Sequence, residues 1–114
     1  MRLLSILAAL ALVIGLFVLG EKPYAGSLFP APWDKLAHVA CYGTIAILLW
    51  NGTGGRFPLA IAALVLSIGL LDELHQAGLP GRSADVTDLM ADAVGICVAF
   101  YLLRARKPAL KGSP

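Results

Sequence analysis

The sequence is poor in charged residues: Asp, Glu, Lys and Arg together make up 14% of its 114 residues. A soluble globular domain typically carries about 25%. Hydrophobic residues reach 59% and the mean hydropathy is +0.82. These values argue against a water-soluble globule and more strongly against a disordered chain.

Cysteines and runs of like charge are also scarce. Cys41 and Cys97 both lie in apolar stretches and far apart, so we expect small buried hydrophobic residues rather than a disulfide or metal framework. Nine basic residues stand against seven acidic ones. This balance does not fit a nucleic-acid-binding surface, and no nucleic-acid partner is predicted.

Long apolar segments fill most of the chain. The first runs from Leu3 to Gly20 with Ser5 as its only polar residue, and Trp33 and Trp50 bracket the second. The third and fourth segments reach about 20 residues, the length of a membrane crossing, only by carrying ionisable groups at one end. The sequence predicts an all-α membrane protein, a single domain of four transmembrane helices with spans at about 3–20, 35–50, 58–77 and 85–103.

The first segment has two interpretations. Arg2 followed by an apolar run resembles a secretory signal peptide. The apolar run is longer than a typical signal, and the small residues near Tyr24 make a poor cleavage site. We therefore expect a retained anchor, with a cleaved signal as the alternative.

The distribution of basic residues predicts the orientation of the bundle. Four crossings leave three basic residues on one side, Lys22, Lys35 and Arg82. The other side receives six, namely Arg2, Arg56, Arg104, Arg106, Lys107 and Lys111. Because basic residues accumulate in the cytoplasm, both termini should lie inside, in a multi-pass protein of the bacterial inner membrane.

Polar side chains converge at the opposite, outer face. Six of the seven acidic residues lie at the start of the second span, the end of the third or the start of the fourth. Consecutive spans alternate in direction, so these three ends share one face. An ionisable group inside a bilayer is costly, and these groups should point into the bundle or into a water-filled pocket. The candidate residues are Asp34, Lys35, His38, Asp72, Glu73, Gln76, Arg82, Asp85, Asp88 and Asp92.

The order of these polar elements resembles the VanZ-like family of small bacterial membrane proteins. The shared elements are Asp34-Lys35 with His38, Asp72-Glu73 with Gln76, Gly81-Arg82, Asp88, Asp92 and Gly95. At the position of Asp92 the family often has asparagine. The resemblance implies a cell-envelope protein, and the family takes its name from a protein associated with low-level resistance to the glycopeptide teicoplanin. It implies no established biochemical activity.

The main functional hypothesis is an outward-facing pocket that binds or acts on an anionic lipid head group or a lipid-linked cell-wall component. In an acid–base reaction, His38 would transfer the proton and Asp72 or Asp88 would orient it. In a metal site, no specific motif identifies the cofactor, but oxygen-rich ligands would favour Mg²⁺, Mn²⁺ or Ca²⁺ over zinc. That ligand set would be Asp72, Glu73, Asp88, Asp92 and His38.

In simple recognition, Lys35 and Arg82 would hold the anion, while Asp34, Glu73, Gln76 and Asp92 would complete the binding site. Whether the protein is an enzyme is left open.

Two other functions compete with the pocket. In the structural one, the polar residues only lock helix packing within a structural or assembly subunit of the membrane. The other is a proton-coupled transporter, which at this length would have to act as a dimer. Small residues at every fourth position of the last span, Ala91, Gly95 and Ala99, favour close helix contact, either within a monomer or across a homodimer.

Reporter fusions test the orientation. A green fluorescent protein fused after Pro114 should fluoresce, because the C-terminus is predicted to be cytoplasmic. Alkaline phosphatase inserted after Gly81 should be active, because that turn is predicted to face outward. A map that puts Asp34 and Gln76 on opposite surfaces of the bilayer would contradict the predicted convergence.

Overall fold

The computed structural model describes residues 2–20, 33–78 and 86–111, with side chains for all of these except 20, 34 and 106–111. Within the described ranges, every regular element is an α-helix, which confirms the predicted all-α class. The four helices are α1 (Arg2–Gly20), α2 (Trp33–Gly52), α3 (Pro58–Ala77) and α4 (Val86–Lys111). The described helix α4 continues eight residues beyond the end predicted for the fourth span.

Three of the described helices are long and apolar enough to cross a membrane. The qualifying stretches are Arg2–Leu19, Pro58–Ala77 and Val86–Ala105. Helix α2 is not among them, because Lys35 and His38 near its start and Asn51 near its end reduce its apolar character. The chain therefore has the helices of a membrane protein, while a fourth crossing and the cytoplasmic position of both termini stay predictions.

Helix α2 is the centre of the bundle, since it packs against each of the other three helices and most extensively against α4. Helix α1 lies mainly against α2, and Ala9 is its buried contact residue. Most other side chains of α1 face outward, as expected for a helix bordering lipid. The buried apolar core comes from the three remaining helices and consists of Tyr42, Ile45, Ala46, Ile61, Val65, Ile96 and Ala99.

Helices α2 and α4 approach closely through glycines. Gly43 faces Gly95, and a Cβ added at Gly95 would lie 2.5 Å from the carbonyl oxygen of Val39. Ala91 and Ala99, four residues to either side of Gly95, are also buried. The small-residue stripe of α4 is therefore used within the chain, against α2. Whether the protein forms a homodimer stays a prediction.

A tight turn joins α2 to α3, where the sequence predicted one. Gly54 and Gly55 have positive φ angles of 73° and 78°, a conformation that glycine adopts without steric cost. The Thr53 hydroxyl donates to the carbonyl of Leu49 at 2.9 Å and satisfies one of the last acceptors of α2. Because the turn is short, α2 and α3 run antiparallel as neighbours.

A substitution at Gly95 tests the helix approach. Gly95→Ala should lower the free energy of unfolding by about 1–3 kcal/mol, the usual cost of overpacking, because its methyl group meets backbone rather than a movable side chain. Gly15→Ala is the matched control, since nothing lies within 4 Å of a Cβ at Gly15. Thermal unfolding in detergent, followed by circular dichroism, measures both. Equal stability of the two variants would refute the close approach.

Candidate functional site

Three helix ends supply the polar side chains that meet in the bundle. Helix α2 places its contributors on one face, three and four residues apart, and α4 does the same with two aspartates four residues apart. Helix α3 contributes from its last turns. We call these eight residues the polar cluster: Lys35, His38, Tyr42, Asp72, Glu73, Gln76, Asp88 and Asp92.

Helices α2 and α4 are joined by two side-chain pairs. Nζ of Lys35 donates to Oδ1 of Asp88 at 2.6 Å. One turn deeper, Nδ1 of His38 lies 2.7 Å from Oδ1 of Asp92, a hydrogen bond across the two helices. The other imidazole nitrogen, Nε2, lies 3.9 Å from Oδ2 of Asp88, too far for a direct hydrogen bond. The ring of His38 thus has one nitrogen fixed by a carboxylate and the other directed toward Asp88.

Exposure falls from the start of the helices toward the interior. The Lys35 side chain is 30% exposed, Asp88 and His38 are mostly buried, and the Asp92 side chain is 0% exposed. A fully buried carboxylate is stable only with partners, and His38 is the partner that the structure gives to Asp92. The cluster is therefore a polar column that begins at a partly exposed lysine and ends at a buried aspartate.

Helix α3 enters the cluster through Asp72, which is buried. The Tyr42 hydroxyl donates to Oδ2 of Asp72 at 3.1 Å, and Nε2 of Gln76 donates to Oδ1 at 3.1 Å. Tyr42 also stacks on the ring of His38 with 5.7 Å between centroids. Tyr42 therefore connects the pairs of α2 and α4 to the carboxylate of α3.

One oxygen of Asp92 is directed at α3. Oδ2 of Asp92 is buried and has no hydrogen-bond partner among the described residues. It lies so close to Gly69 that a Cβ there would overlap it. Gly69 shares its face of α3 with Asp72 and Glu73, which follow one turn later. The lack of a side chain at Gly69 is what lets α3 pack against this carboxylate.

The structure brings together most of the residues that the sequence singled out, but pairs them differently. His38 bonds Asp92, where the expected orienting residues were Asp72 or Asp88. Gln76 donates to Asp72, one turn earlier on the same helix. The side chain of Asp34, and Arg82 and Asp85 as a whole, lie outside the described residues. The catalytic and binding roles assigned from the sequence stay predictions.

Sequence reasoning missed Tyr42 and gave Gly69 no role in the polar cluster. Tyr42 lies one turn after His38 on the same face of α2, and Gly69 lies one turn before Asp72 and Glu73. This helical spacing was the available signal, but neither residue type attracts attention within an apolar run. Both cysteines were expected to be small buried residues. Cys41 is partly buried against the apolar core, whereas Cys97 is exposed, so the expectation is wrong for Cys97.

The cluster can act chemically in two ways at His38. Because Asp92 holds Nδ1, Nε2 is the nitrogen that can exchange a proton or bind a cation. His38, Asp72 and Glu73 each offer one ligand atom, and these atoms lie within 4.8 Å of one another. Lys35, at the more exposed end, is the described side chain that can attract an anion.

Comparison with protein families gives a match over most of the chain. The sequence profile of a family described as VanZ/LLP1 matches residues 4–107 of the chain. No curated protein and no solved structure matches it. The profile match covers α2 and α3 in full, most of α1 and α4, and every residue of the polar cluster, and the chain therefore belongs to the VanZ/LLP1 family.

Proposed function

We propose that the polar cluster binds the anionic head group of a membrane lipid or of a lipid-linked cell-wall component, at the outer face of the bacterial inner membrane. The observation that carries this proposal is the polar column from the partly exposed Lys35 to the buried Asp92.

The electrostatics at the start of the column favour an anion. Helices α2 and α4 both begin at this end, because Lys35 and Asp88 meet there, and helix N-termini attract negative charge. Arg82 precedes α4 by four residues in the sequence and is our second candidate for the anion. In this proposal Lys35 and Arg82 hold the head group, and Asp88 positions Lys35.

His38 is the group best placed to act on the bound head group. Asp92 fixes the ring through Nδ1, and Nε2 is directed toward Asp88, at the side of the column where Lys35 lies. Asp72 is placed from the other side by Tyr42 and Gln76.

From the family alone we also propose a link to teicoplanin-type glycopeptide resistance, which expression in a susceptible bacterium tests.

Head-group binding can be measured by native mass spectrometry of the purified protein in detergent. Titration with phosphatidylglycerol should give tighter adducts than phosphatidylcholine. Lys35→Ala should weaken the phosphatidylglycerol adduct at least about fivefold, since one cation near a membrane surface is worth about 1 kcal/mol toward an anionic lipid. Arg104→Ala, which removes an equal charge ~24 Å along α4 from Asp88, is the control and should leave binding unchanged. Equal weakening of the phosphatidylglycerol adduct in both variants would show that Lys35 acts only by general charge attraction.

A purely structural role is the second candidate, and a specific observation favours it. Three aspartates of the cluster each contact a side chain of another helix, namely Lys35 for Asp88, His38 for Asp92 and Tyr42 for Asp72. These contacts tie α2, α3 and α4 together. The third hypothesis, proton-coupled transport by a dimer, predicts gradient-dependent flux in proteoliposomes, which a transport assay would test.

A pair of variants separates binding from packing. Tyr42→Phe removes only the hydroxyl that donates to Asp72 and leaves a buried acceptor, so it should lower stability by about 1–3 kcal/mol and leave lipid binding intact. Lys35→Ala should weaken lipid binding and leave stability nearly unchanged, because the Lys35 side chain is partly exposed. Thermal unfolding and lipid adducts are measured on both proteins. If each variant loses lipid binding only in proportion to its loss of stability, the structural role is correct.

A further inference from the structure

A compact set of ligand atoms lies at the inner end of the polar column. His38 from α2 and Asp72 and Glu73 from α3 place one ligand atom each within 4.8 Å of the others. Asp72 and Glu73 are 3% and 4% exposed, so both carboxylates are held away from solvent. One imidazole and two carboxylates brought together in this way form a donor set that binds divalent cations.

The surrounding hydrogen bonds orient these donors as they are oriented in metal sites. A metal-binding histidine almost always bonds a carboxylate or carbonyl through its second nitrogen, which fixes the ring and increases its basicity. Asp92 is in that position on Nδ1 of His38. The hydroxyl of Tyr42 and the amide of Gln76 position Asp72 in the same way.

Asp92 provides an independent indication of a cation. Its side chain is 0% exposed, and Oδ2 has no hydrogen-bond partner among the described residues. An unsatisfied oxygen of a buried carboxylate is costly unless positive charge lies nearby. Oδ2 lies against Gly69, on the face of α3 that carries Asp72 and Glu73 one turn later. A cation bound by those two residues would lie on the side to which Oδ2 is directed.

We propose that the protein binds one divalent transition-metal cation, Mn²⁺ or Zn²⁺, with Nε2 of His38 and the carboxylates of Asp72 and Glu73 as ligands. The imidazole nitrogen favours these ions over Ca²⁺, which takes oxygen ligands. Asp92 is a positioning residue that acts through His38. Three protein ligands leave coordination positions open for an oxygen of the head group.

This last step rests on the proposed function, and it explains how a site rich in carboxylates accommodates an anion. The cation would neutralise the carboxylates and polarise a phosphoryl or carboxyl oxygen of the head group. His38 would then act on the head group through the metal that it holds. Lys35 would supply the second positive charge from the outer end of the column.

Metal binding is tested without lipid, on the full-length protein in detergent. Titration with Mn²⁺ should give one saturable site by calorimetry, and electron spin echo measurements on bound Mn²⁺ should show coupling to an imidazole nitrogen. His38→Gln should abolish the nitrogen coupling, and Asp72→Asn and Glu73→Gln should weaken binding more than tenfold. Asp92→Asn should weaken it about 10–100-fold, as loss of an orienting partner does, while the nitrogen coupling survives in the fraction that binds.

Glu21→Gln is the control, because it removes a carboxylate that belongs neither to the polar cluster nor to the ligand set. It should change Mn²⁺ affinity by less than about fivefold, the scale of a single charge outside the site. Circular dichroism confirms that each variant is folded before it is titrated. Absence of saturable binding of both Mn²⁺ and Zn²⁺ would overturn the proposal, as would equal weakening by Glu21→Gln and Glu73→Gln.

The proposal of a metal site and the proposal of head-group binding can be contradicted separately. Binding of Mn²⁺ without a preference for phosphatidylglycerol would support the metal site and contradict the proposed function. If the protein stripped with EDTA binds no Mn²⁺ but still prefers phosphatidylglycerol through Lys35, the proposed function is supported and the metal site is contradicted.

Discussion

The hydrogen bond between His38 and Asp92 is the contact on which the arrangement of this bundle depends. Asp92 is fully buried among apolar helices, where an unpaired carboxylate would be strongly destabilising. The bond length of 2.7 Å requires α2 and α4 to lie very close together. Gly95, three residues after Asp92, provides that closeness by packing against the carbonyl of Val39, the neighbour of His38. The small-residue stripe and the polar pair are therefore parts of one helix contact, in which the packing makes the bond possible and the bond offsets the burial of the charge.

Helix α3 completes the site by the same combination of a glycine and a polar contact. Gly69 lets its backbone reach the carboxylate of Asp92, and Asp72, one turn later, receives the hydroxyl of Tyr42. In a bilayer, lipid chains compete with apolar side chains for helix surfaces, so close packing and hydrogen bonds determine which faces meet. This explains why a short chain can hold several acidic residues within its helices: Asp72, Asp88 and Asp92 each contact a side chain of another helix.

For the described residues, the sequence was sufficient to predict four helices near the observed positions, apart from the longer α4, because apolar runs of membrane length leave little choice. It was also sufficient to predict that the charged ends of the second, third and fourth segments meet. It could not determine which aspartate pairs with His38. Asp88 and Asp92 lie on one face of α4, about 6 Å apart along its axis, so a small axial shift decides between them. That shift is set by the contact at Gly95, which involves backbone atoms of α2 and leaves no trace in hydropathy. The roles of Tyr42 and Gly69 in the polar cluster were missed because they depend on how the helices are rotated, which residue type does not reveal.

The aspartate at position 92 determines the chemistry of this contact. An asparagine in its place could accept from His38 through its carbonyl oxygen, but its amide would need an acceptor on α3. Aspartate replaces that donor with a second acceptor, Oδ2. This oxygen lies against Gly69, where the described residues supply no hydrogen-bond donor. A carboxylate accepts a stronger hydrogen bond than an amide and so holds the ring of His38 more firmly. It also adds negative charge beside Asp72 and Glu73. An exchange that leaves the size of the side chain almost unchanged thus turns a neutral packing position into one that favours a positive charge at the centre of the bundle.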